Sequence, residues 1–247
     1  MDKRLLLMML LAVVPASGFA AGGGAPLDSA NVNVADTAAL QRGAAYYVNN
    51  CLGCHSLEYV RYNRLADDLG LTEDQVTENL MYTGERIHDT MTVAMPADDS
   101  SVWFGRTPPD LSLVARSRGE DWIYTFLKSF YVDPSKPTGA NNTVLVGASM
   151  PHVLWEQQGL QRAIFHEEID EAGNPHTEFE GFELVSAGSM SPEAFDRMIR
   201  DIVTFLSYAG EPMQLERQRL GVKVLLFLLV FFVLAFLLKK EIWKDVK

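Results

Sequence analysis

Only two cysteines occur in the 247 residues, Cys51 and Cys54. With no others, a disulfide framework is excluded, and a structural zinc site lacks the second cysteine pair it would use. Positive charge is scarce as well. Between Ala21 and Arg219, 14 Lys and Arg stand against 29 Asp and Glu, a net charge of −15. Such a domain will not grip a nucleic-acid backbone by neutralising its phosphates. The chain carries neither an internal repeat nor a glycine-rich phosphate loop. Its long apolar runs are confined to the two ends.

The first run follows Lys3-Arg4, extends from Leu5 to Val14 and closes on Pro15–Ala20. A charged start, a short apolar stretch and small residues at its close read as a signal peptide over 1–20. The second run, Leu220–Leu238, contains one charge, Lys223, and has the length of a membrane crossing. Lys223 lies close enough to one boundary for its ammonium to reach the headgroups. Lys239, Lys240, Lys244 and Lys247 follow the run, with Trp243 among them. Arg217, Arg219 and Lys223 on the near side blunt that asymmetry, so the signal peptide orients the chain more firmly. The two agree on a tail over 239–247 in the cytoplasm, a span over 220–238 and a domain over 21–219 in the periplasm of a bacterial inner membrane.

Within that exported domain the cysteines read Cys51-Leu52-Gly53-Cys54-His55. Two thiols three residues apart, followed at once by histidine, form a covalent haem-attachment motif: each sulfur adds to a vinyl group and His55 offers a nitrogen to the iron. Gly53 is expected to lend the loop backbone latitude. A thioredoxin-like dithiol would need a strand before the motif, whereas Gln41–Asn50 reads as helix. One haem c is therefore the expected cofactor. Spacing leaves the sixth iron ligand open among Met81, Met91, Met95, Met150, Met190, Met198 and Met213, with His88 and His152 as further candidates. Met198 falls on an apolar helix face, and both Met95 and Met150 precede a proline.

The remaining periodicities predict a mainly α protein. Asp36 or Thr37 caps a helix leading to the motif, and Thr72–Tyr82 is a second helix capped by Thr72. Tyr59–Leu69 reads as irregular or short-helical, and 84–109 as a loop beside the haem. Asp121–Phe130 is helical, and Asp133–Thr143 is rich in turns. Residues 166–189 hold seven acidic residues and no Lys or Arg, a solvated hairpin or flap. Ser191 caps a final domain helix with Pro192 in its first position.

Several of these stretches together resemble the cytochrome c1 family, the haem subunits of ubiquinol–cytochrome c reductase. The resemblance rests on Arg42-Gly43, Tyr47, the haem motif with Ser56, Tyr59-Val60 and Leu65. It continues through Pro108-Pro109-Asp110-Leu111-Ser112, Arg116-x-Arg118, Glu120-Asp121 and Pro137-Thr138-Gly139. Gly147-Ala148-x-Met150-Pro151, Phe205-Leu206, Ala209-x-Glu211-Pro212 and Arg217-x-Arg219-x-Gly221-x-Lys223 complete it. It implies a cytochrome c-like haem domain with inserted loops plus one C-terminal transmembrane helix. It also implies Met150 as sixth ligand and Arg118 as partner of a haem propionate, the alternative for Arg118 being an ion pair with Glu120 or Asp121. The longer acidic 167–183 region and the 101–107 stretch depart from the pattern.

The function so implied is electron transfer, with no enzymatic turnover by the chain alone. A Rieske iron–sulfur protein, working beside a cytochrome b, supplies the electron, and a soluble c-type cytochrome takes it, within a dimeric complex. The competing account is a free-standing membrane-anchored cytochrome serving a terminal oxidase; it lacks a reason for the Pro-Pro-Asp-Leu-Ser segment. A haem peroxidase would need an open iron position, and a purely structural anchor would need no haem motif.

Overall fold

The computed structural model describes residues 26–169 and 175–245; the export segment expected over 1–20 lies outside the described residues. The Asp36 carboxylate accepts the Ala39 N–H at 3.1 Å and starts α1 (Thr37–Asn50). The chain then forms β1 (Leu57–Arg61), α2 (Tyr62–Leu69), α3 (Glu73–Asn79), β2 (Thr90–Met91) and α4 (Ala97–Phe104). Next come α5 (Val114–Arg118), α6 (Glu120–Lys128), β3 (Phe130–Val132), β4 (Ala140–Asn142) and α7 (Trp155–Gln158). The long hairpin β5 (Gly159–Ile169) and β6 (Pro175–Ala187) precedes α8 (Pro192–Gly210) and α9 (Gln214–Ile242). Among the described residues the three sheets are two-stranded and antiparallel, so helices carry the fold.

The organising contact is the crossing of α1 on α8. Phe195, Met198, Ile199, Ile202, Phe205 and Leu206 recur at helical spacing, and none is more than 5% exposed. Burying each such side chain contributes about 1.5–3 kcal/mol. Gly43 lets the two backbones touch: a Cβ there would stand 2.1 Å from the Asp201 carbonyl oxygen. Beside it the Arg42 guanidinium grips Asp201 through two bonds of 2.7 and 3.0 Å. One turn on, the Tyr47 and Phe205 rings meet at 5.6 Å.

One expectation about irregular chain needs correction. The stretch 84–109 contains β2, which pairs with β1, and the helix α4. That helix follows Pro96, places Asp98 and Asp99 in its first turn and ends at Gly105 in a left-handed conformation. Its one buried residue, Ser100, donates to the Ala97 carbonyl, so the apolar period that betrays a helix is missing. Tyr59–Leu69 takes the short-helical of its two expected forms: it holds the end of β1 and all of α2. The acidic hairpin is present but longer than its charges suggest, starting at Gly159.

Glu211–Met213 joins α8 to α9. The 29 residues of α9 rise about 44 Å, enough for a hydrocarbon core of about 30 Å. Its most apolar window has a mean hydropathy of 2.9 and none of it is buried against the domain. The expected span lies inside this helix, which extends a turn or more beyond it at the near end. Glu211 clamps the junction: its carboxylate accepts from Arg217 of α9 and lies 3.9 Å from Arg116 of α5. Arg64 of α2 donates to the Met213 sulfur at 3.2 Å.

Candidate haem site

The haem motif begins where α1 stops. Cys51 caps that helix, its N–H donating to Tyr47 at 2.8 Å, and the N–H groups of Cys54 and His55 both return to the Cys51 carbonyl. The five residues thereby form one tight turn. Both thiols are free, partly buried and outside any disulfide. Burial, with Cys54 adding to it, pushes the Cys51 thiol up to about 12. Gly53 has no left-handed backbone, and a Cβ there would meet nothing within 4 Å. The turn does not use the latitude expected of it.

His55 is oriented from two sides. The buried Tyr47 hydroxyl donates to its carbonyl at 2.6 Å. Its Nδ1 lies 2.7 Å from the Pro109 carbonyl oxygen. A carbonyl only accepts, so Nδ1 carries the proton and Nε2 keeps its lone pair for a metal. Burial lowers the His55 pKa, opposed in part by the Pro109 bond and the Asp110 charge, which favours the neutral ring a metal needs.

The Pro-Pro-Asp-Leu-Ser segment is wrapped on this turn. Leu111 N–H donates to the Ser56 carbonyl at 2.9 Å, Asp110 accepts the Glu58 N–H at 2.8 Å, and Ser112 Oγ accepts the Tyr59 N–H at 3.2 Å. On the opposite flank Ser56 Oγ accepts from Val93 at 2.9 Å. Sequence reasoning assigned no role to Tyr47, Ser56, Pro109 or Asp110, although the resemblance quoted all four.

Met150 closes a loop that two buried asparagines shape. Asn142 Oδ1 accepts from the N–H groups of Val144 and Leu145, and Asn141 Oδ1 from Gly147, while Asn142 Nδ2 donates to Phe126. These asparagines were also missed; an adjacent Asn-Asn pair before a Gly-x-x-Met turn was the available signal. Met150 and Cys51 are both partly buried against the main core. Among the alternatives, Met91 and Met198 are core residues 0% and 2% exposed. Met213 is held by Arg64, and Met190 lines a groove of about 570 Å³ beside Arg42 and Arg197. His88 is exposed. His152 lies flat on Phe130 at 5.3 Å, and burial pushes it down to about 4, opposed in part by the Gly159 backbone.

Arg118 ends α5, exposed, with its guanidinium 5.1 Å from the centre of the Trp122 ring. The suggested ion pairs are absent among the described residues. Glu120 instead accepts from Ser207 at 2.5 Å, and Asp121 accepts the Ala30 N–H at 2.8 Å. Arg118 thus keeps its donors free for an acid group. From Trp122 the rings continue through Phe126 and Phe130 to His152, at centroid spacings of 5.0, 5.0 and 5.3 Å. Two free thiols, an imidazole with a committed Nδ1, a thioether and a guanidinium without an ion pair are the residue types by which a covalent haem would be held.

Comparison with known proteins agrees with this chemistry. A family model described as the Cytochrome C1 family matches residues 29–162 and 175–246. A cytochrome c1 of Allochromatium vinosum is 50% identical, over 99% of this chain and 99% of its own length. A protein of Nitrosomonas europaea named ammonia monooxygenase gamma subunit is 41% identical, over 100% of this chain and 99% of its own. A cytochrome c1 of Rhodospirillum rubrum is 29% identical, over 86% of this chain and 83% of its own.

Proposed function

The chain belongs to the cytochrome c1 family, and from that premise we propose that it accepts an electron from a Rieske iron–sulfur protein and delivers it to a soluble c-type cytochrome. Members of the family carry one covalently bound haem c, and the chain is a membrane-anchored electron-transfer protein. When bound, the haem supplies a one-electron couple. The protein's own groups hold and tune it.

In this reading Cys51 and Cys54 would hold the haem through thioether bonds, and His55 and Met150 would supply nitrogen and sulfur to its iron. Arg118 offers a bidentate partner to a propionate. A methionine sulfur favours ferrous iron and sets a high potential, suited to oxidising an iron–sulfur protein. The observation that carries the reading is the 2.7 Å approach of the Pro109 carbonyl to His55 Nδ1. It fixes the ring and its tautomer with a group supplied from the motif that distinguishes this family.

The assembly proposed is ubiquinol–cytochrome c reductase, with a cytochrome b as neighbour and the whole complex dimeric. The haem domain stands in the periplasm, with the tail after Leu238 in the cytoplasm. The test is a redox difference spectrum of the tagged chain, purified from membranes in mild detergent. A b-type haem band in excess of the c-type band is the expected result. A c-type band alone would favour the free-standing carrier to an oxidase. Ammonia-dependent oxygen uptake by the purified assembly would instead align the chain with the function named for the Nitrosomonas relative.

A further inference from the structure

The surface carboxylate of Asp110 has no ion-pair partner among the described residues, in a domain already crowded with negative charge. Both its oxygens are nonetheless in use. Oδ2 accepts the N–H of Glu58, three residues past His55, and Oδ1 accepts the N–H of Ser112, each at 2.8 Å. Together with the bond from Leu111 N–H to the Ser56 carbonyl, this staples residues 110–112 to residues 56–58. The carbonyl that meets His55 belongs to the residue just before the staple. Pro108 and Pro109 have no N–H of their own, so their backbone cannot be anchored by donating. The direction of the Pro109 carbonyl therefore depends on what holds the chain immediately after it.

We propose that Asp110 is a positioning residue for the axial imidazole, acting through the Pro109 carbonyl. The proposal rests on His55 being an iron ligand. A hydrogen bond at Nδ1 makes an imidazole a more basic ligand, which favours ferric iron. Loosening the staple weakens that bond and moves the couple toward ferrous iron.

The test uses the full chain with its haem, in detergent, and compares Asp110→Ala and Asp110→Asn with the unaltered protein. Two quantities are read: the haem midpoint potential, and the exchange rate in D₂O of the iron-shifted His55 Nδ1–H proton followed by NMR. For Asp110→Ala we expect a shift toward ferrous iron of about tenfold, or about 59 mV for one electron. The exchange should accelerate by at least about tenfold, the weight of one ordinary hydrogen bond. Asp110→Asn retains one accepting oxygen and should exchange at an intermediate rate. Removing a nearby negative charge would by itself raise the potential, but it would leave the exchange rate unchanged. A shifted potential with unaltered exchange in both variants therefore overturns the proposal. If Asp110→Ala fails to retain haem, the Asn variant decides alone, and a wild-type exchange rate in it overturns the proposal. An unaltered protein that holds haem but shows no iron-shifted, exchangeable imidazole proton refutes the ligation by His55, a different failure from that of Asp110.

Discussion

His55 has one ring nitrogen already committed to the Pro109 carbonyl, and that bond could not be read from its neighbours in sequence. The motif was legible because its chemistry is local: two thiols and an imidazole within five residues. The Pro109 carbonyl lies 54 positions away and is a group that every residue carries, so nothing in its side chain announces the role. Met150 was narrowed by resemblance alone, and the structure adds that its loop is shaped by Asn141 and Asn142. Replacing Met150 by Leu should leave the haem attached and lower the midpoint potential by on the order of a few hundred millivolts, within the ~0.8 V that axial ligands span. A redox titration checks it, and an unchanged potential would return the ligand role to Met95 or His152. Tyr47→Phe should keep the haem but strip the His55 carbonyl of its buried partner. A loss of about 1–3 kcal/mol in denaturant unfolding is expected.

Among the elements, those with a complete local code were foreseen. Thr72 begins α3 in a capping box with Gln75, and Ser191 with Pro192 begins α8. The short strand β2 and the helix α4 were not, because a two-residue strand and a helix with one buried residue have no period to detect; tertiary contacts form them. The α1–α8 crossing makes a sharper test. Gly43→Val places a branched side chain against the Asp201 backbone and should cost about 1–3 kcal/mol or more, read as a lowered melting temperature. A second pin joins α6 to α8, where Asp196 accepts from Tyr124, Lys128 and Arg200. Burial works to raise the Asp196 carboxyl, but the bonds from Tyr124 and Lys128, with the charges of Lys128 and Arg200, hold it below its usual 3.8. A carboxyl lowered in the folded state stabilises above its unfolded pKa, and that stability is lost as pH falls through the folded value. Asp196→Asn should therefore melt earlier at pH 7 and lose less on acidification below about pH 4 than the parent does. Melting curves recorded between neutral and strongly acid pH check both limbs.

Across the whole molecule, the mainly α class and the C-terminal helix long and apolar enough to cross a membrane were plain from periodicity and one apolar run, while the extent of the acidic hairpin was not. Its strands begin at Gly159, in sequence too mixed to alternate cleanly, because bulges at 160–161 and 164–165 break the register. The negative field of the domain should hasten encounter with a basic acceptor. The association rate should then fall as salt rises from about 10 to about 150 mM, where screening shortens from about 30 to about 8 Å. Stopped-flow mixing at several ionic strengths measures it, and a flat dependence would remove steering from the account.

The three residues Glu211–Met213 have a further consequence. Fully stretched they reach about 10 Å, and Glu211, held between Arg217 and Arg116, takes up even that slack. The domain is tied to the long apolar helix by a link of three residues, shorter than the radius of a domain this size. A domain held so closely does not travel, and in the electron-transfer role proposed for it the movement falls to its partners.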